Sequence, residues 1–259
     1  MATAPSRGLP IFYKELVPLN SDQHGGWKTR ALTDASFVKN QHAIPLTTDE
    51  FVQASRHYPI IFSDTDQPVP LALMGMNEGV NVFVDDEGKI TAPIYLPAYV
   101  RRYPFMLARV NDNQEELSLC FDPQSGGVGD YDEGDALFDD NKPSETTQRI
   151  LKFCEQFEQA GGRTHNFVNE LIKMDLLMSG EVSINAPGQE KPYVFRGFKM
   201  VNEEKLRDLR GDELRKMNQS GMLPLLYAHL FSLQLMRDIF AGQQASGQMP
   251  ELGQPQQQA

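Results

Sequence analysis

A chain of 259 residues with 40% hydrophobic and 23% charged residues, 15 Phe and 8 Tyr among them, has the composition of an ordinary globular protein and excludes a disordered or fibrous one. The 35 acidic residues outweigh the 24 Lys and Arg, and the net charge of −11 repels phosphate backbones, so nucleic acid is not expected as a partner. No run reaches the roughly 18–20 apolar residues of a membrane helix, no apolar signal region follows Met1-Ala2-Thr3-Ala4-Pro5, and two cysteines, Cys120 and Cys154, fit a reducing compartment. No membrane insertion and a cytoplasmic location are the expectation.

Along the first 110 residues, short extended runs alternate with short helices. Thr47-Thr48-Asp49-Glu50 is a capping-box pattern, with Thr47 set to accept from the amide of residue 50 while Glu50 reaches back. A helix over about 48–57 follows and stops near Tyr58, because Pro59 disfavours a helical residue before it. Ile60-Ile61-Phe62 then reads as a strand. The syntax recurs at Pro97, with a helix stopped at Tyr103-Pro104 and a strand at Phe105-Met106-Leu107-Ala108. Between the two units, residues 69–74, 80–84 and 89–91 predict a small antiparallel meander turning at Asp85-Asp86-Glu87-Gly88. Residues 117–121 alternate as one more strand.

Residues 122–144, with glycines at 126, 127 and 129 and a dense run of carboxylates, read as a loop. After it the chain turns helical. Ser144 caps a helix that Gly161-Gly162 is expected to close, and Thr164 caps a second that ends at Gly180. A strand pair around 181–184 and 193–195 interrupts, joined by a turn containing Pro and Gly. Asn202 and Asp212 are the next expected caps. Residues 222–240 have the pattern of a buried amphipathic helix, with His229 as a hydrogen-bonded core residue. From Ala241 the composition becomes Gln, Gly, Pro and Ser rich.

Six carboxylates fall within residues 130–140, and hard cations take such oxygen ligands. The spacing misses a calcium loop, since Gly134 stands at the fifth position and Asn141 at the twelfth. The histidines at 24, 42, 57, 165 and 229 show no HxxxH or HxE pairing. Neither cysteine has an activating neighbourhood, and both read as core. Nucleophile-elbow and phosphate-loop signatures are absent. What remains is the pair of junctions Arg56-His57-Tyr58-Pro59 and Arg101-Arg102-Tyr103-Pro104, each setting a guanidinium and a phenol at a helix end. Such groups hold a carboxylate or stack on an apolar surface, or they lock the helix C-terminus. His24, beside Gly25-Gly26 and Trp27, either closes over a ligand or turns a corner.

The runs Phe12-Tyr13-Lys14-Glu15-Leu16-Val17-Pro18-Leu19-Asn20, Tyr58-Pro59-Ile60-Ile61-Phe62, Tyr99-Val100-Arg101-Arg102-Tyr103-Pro104-Phe105, Arg196-Gly197-Phe198-Lys199-Met200-Val201-Asn202 and Tyr227-Ala228-His229-Leu230-Phe231 resemble the bacterial SapC-like family, in order over about residues 10–240. The family takes its name from a protein linked with a paracrystalline surface layer and serum resistance, and it is distinct from the membrane-spanning transporter permease of the same short name. The resemblance implies an accessory role near the cell surface and carries over no catalytic residue.

The expected fold is α+β, a mostly antiparallel sheet from the N-terminal half packed against helices mainly from the C-terminal half. One domain over residues 1–241 precedes a disordered tail over residues 242–259. The expected function is a non-catalytic accessory or binding protein of a bacterial cell-surface, uptake or modification system, with His24, Trp27, Arg56, Tyr58, Arg101, Arg102 and Tyr103 lining a binding groove for a protein or peptide partner or a small ligand. No cofactor and no metal are expected, and whether the chain is an enzyme stays open. The alternatives are a metal-dependent oxygenase or hydrolase acting on a peptide or polymer, with ligands that converge only in three dimensions, and a surface-layer subunit.

Overall fold

A computed structural model describes residues 9–110, 116–185 and 192–248. β1 (Val17–Pro18), α1 (Ser21–His24) and β2 (Lys28–Thr29) come first. Next are β3 (Ala43–Pro45), a 3₁₀ turn at Thr48–Glu50, α2 (Phe51–Ala54), β4 (Ile60–Ser63) and β5 (Pro70–Leu73). α3 (Ala98–Arg101) leads into β6 (Phe105–Ala108) and β7 (Ser118–Phe121). The acidic stretch holds β8 (Val128–Gly129), β9 (Asp135–Ala136), β10 (Phe138–Asp139) and β11 (Lys142–Pro143). Then follow α4 (Glu145–Lys173), the hairpin of β12 (Leu177–Ile184) and β13 (Tyr193–Val201), α5 (Glu203–Arg207), α6 (Gly211–Gln219), α7 (Met222–Ser232) and α8 (Met236–Ala245).

The architecture is α+β with antiparallel sheets, and the described residues gather in two compact units. One lies within Met1–Asp34 and Arg101–Glu158, the other within Ala35–Val100 and Gln159–Ala259. In the first unit β7 pairs with β1 and β6, and β2 is held between β8 and β9. Its core gathers Phe105, Leu107, Phe121, Val128, Leu137 and Cys154.

The second unit is built on a five-stranded antiparallel sheet in the order β12, β13, β4, β5, β3. Ile61, Leu73, Met76, Phe195, Phe198, Met236, Ile239 and Phe240 form its core. The sheet therefore draws β12 and β13 from the second half of the chain, and the first half supplies the other three strands. Gly180 in β12 lets the Phe198 ring of β13 lie against the backbone, since a Cβ there would stand 2.2 Å from a ring carbon.

Several local expectations are corrected. Gly161-Gly162 does not end a helix: α4 runs unbroken through both. Two helical glycines cost about 1 kcal/mol each, and burial of Cys154, Ala160, Thr164, Phe167, Val168 and Leu171 on either side outweighs that. Thr164 is accordingly a mid-helix residue, its hydroxyl donating to the Ala160 carbonyl (2.8 Å) and accepting from the Thr48 amide (2.9 Å). The helix stops at Lys173, where Asp175 takes a left-handed φ of 53° and the Leu176 amide returns to the Leu171 carbonyl.

At α6 the first helical residue is Gly211, one before the expected cap Asp212, because the Arg210 amide finds the Glu213 carboxylate at 3.1 Å. The meander reduces to β5 and a single Val84–Ile90 bridge around the Asp85–Gly88 turn. The acidic stretch, read as a loop, is tied down by its short strands. Ser144 and Asn202 cap as expected, accepting from the amides of Thr147 (3.2 Å) and Lys205 (3.0 Å). α8 continues to Ala245, past the composition change at residue 241. The turn between β12 and β13 and residues 249–259 of the tail lie outside the described residues.

Candidate functional site

The residues singled out from sequence divide between the two units. In the first, His24 is buried with its Nδ1 accepting the Asn20 amide at 3.2 Å, and its ring meets Trp27 and Phe121 at centroid distances of 4.6 and 5.2 Å. Burial lowers its pKa, against the opposing pull of the backbone contact to Asn20. Arg101 is exposed with its guanidinium 5.3 Å from the Phe153 ring. Arg102 is buried, 4.3 Å from the Phe157 ring centre and 3.7 Å from Glu158. Tyr103 donates its hydroxyl to Asp122 at 3.4 Å, and burial and then the Asp122 charge push its pKa up to about 12. Asp122 is itself fully buried and accepts the amides of Lys14 (2.8 Å) and Gln124 (2.9 Å).

In the second unit Arg56 is exposed and Tyr58 is fully buried. The Tyr58 hydroxyl donates to the Tyr95 carbonyl, and burial raises its pKa. Tyr95 in turn donates its hydroxyl to Glu50 at 3.0 Å. Glu50 reaches back to the Thr47 amide (2.9 Å) and completes the capping box expected from the sequence, and the Thr47 hydroxyl also contacts the same carboxylate (2.8 Å). The Ala98 amide completes the set. This carboxylate is a junction for donors from the turn before α2 and from α3, which suits it to holding backbone in place.

His229 of α7 is fully buried and shares its two ring nitrogens between two strands. Nε2 accepts from the Val201 amide (3.1 Å), so the proton sits on Nδ1 and donates to the Ile60 carbonyl (2.8 Å). Ser232 one turn on accepts from the Ile60 amide (2.8 Å) and donates back to the His229 carbonyl (2.6 Å). Burial holds the His229 pKa down at about 4. The thiols of Cys120 and Cys154 are also buried, with the pKa raised by burial in both, to about 11 for Cys154. Among the described residues no three His, Cys, Asp or Glu side chains are grouped to hold a metal ion. No helix among them is long and apolar enough to cross a membrane.

The opposite side of α7 differs. Tyr227 and Phe231 stack at 5.8 Å and are 42% and 66% exposed, and Pro224 one turn earlier is exposed as well. Residues 222–236 contain no Asp, Glu, Lys or Arg. Residues 222–240 read as a buried helix; in α7 one face is buried and the other presents large apolar groups to solvent. Sequence reasoning missed Tyr227 and Phe231. The available signal was that fifteen residues without a charge supply more apolar positions than one buried face requires.

A family model described as SapC matches residues 19–239. No curated protein and no solved structure matches the chain.

Proposed function

The chain belongs to the SapC family, and from that premise we propose that it is a non-catalytic accessory or binding protein whose partner is another protein. The observation that carries this reading is the stacked Tyr227–Phe231 pair standing exposed on an uncharged helix face. Large exposed apolar groups are costly to keep in water, and contiguous ones mark interaction sites. Aromatic residues are enriched at protein interfaces, and Trp and Tyr are enriched among the few residues that dominate binding there. The pair projects outward from a helix, whereas a small ligand is held in a concavity, so a macromolecular partner fits it better. The partner belongs to a bacterial cell-surface, uptake or modification system, the setting suggested by the family.

Size-exclusion chromatography with light scattering, on chain drawn gently from its native host, tests this. Wild type is expected in a complex larger than its own 29.2 kDa. The variant Tyr227→Ser with Phe231→Ser is expected at the mass of the lone chain while still folding cooperatively. A doubly substituted chain that stays in the complex, or a wild type found only alone, would contradict the reading.

A further inference from the structure

We draw no further inference here: the strongest candidate, the exposed face of α7 that presents Pro224, Tyr227 and Phe231, belongs to the site already described, and nothing in the structure shows what covers it.

Discussion

The two faces of α7 are made from the same eleven residues and do opposite things. The inner face spends its polar groups on backbone: His229 joins Ile60 of β4 to Val201 of β13, and Ser232 takes the remaining Ile60 amide. The outer face offers Tyr227 and Phe231 to water. Apolar content alone therefore does not say which side of such a helix is core. The buried side is the one whose polar groups meet the unpaired amides and carbonyls of neighbouring strands, and burying those groups without partners would cost about 1–3 kcal/mol each. On the far side Phe231 and Tyr227 stay partly in water, 66% and 42% exposed.

The largest expected effect breaks the inner face. His229→Ala removes a fully buried ring and leaves the Ile60 carbonyl and the Val201 amide without their partner, which should cost about 4 kcal/mol by cavity and lost hydrogen bonds together. Denaturant unfolding measures it, and a loss under about 1 kcal/mol would mean that the clip does not hold the helix.

A pH series sharpens the same contrast. Folded His229 holds its proton far more weakly than an unfolded histidine, with a pKa near 4 against the ordinary 6.5. The unfolded state thus binds more protons, so this contribution is complete above pH 6.5 and is lost as the pH falls toward 4, by about 3 kcal/mol in all. Carboxylates titrate in the lower part of that range, so the comparison is with His229→Gln, which lacks the imidazole. Between pH 6.5 and 4 wild type should lose about 3 kcal/mol more than the variant; parallel losses would contradict the burial of a neutral ring.

How much of this was legible in the sequence follows from the range over which each residue acts. Proline restricts the residue directly before it, so a helix cannot run through Tyr58-Pro59 or Tyr103-Pro104, but the helices stop earlier than the sequence suggested, α2 at Ala54 and α3 at Arg101. The partners of the two tyrosines were not readable, since Tyr58 reaches the Tyr95 carbonyl and Tyr103 reaches Asp122, and neither pairing has a local signature. The matching syntax therefore conceals a neutral partner in one unit and a carboxylate in the other. Gly161-Gly162 misled for the same reason in reverse, because distant burial along α4 outweighed a local preference for a break. The antiparallel α+β character was visible in the alternating runs, while the pairing of β13 with β4 across more than 130 residues of sequence has no local signature. For the candidate site, the uncharged run over residues 222–236 was in plain view; which of its rings face water depends on where Ile60 and Val201 stand.

The smallest expected change in stability is the most direct test of that division of labour. Phe231→Ser alters a ring that is 66% exposed, and an exposed side chain with no structural duty should move the unfolding free energy by no more than about 0.5 kcal/mol. An unfolding measurement that finds Phe231→Ser as stable as wild type fits an outer face reserved for a partner. A loss of about 2 kcal/mol or more would show that the ring is part of the fold and contradict the account.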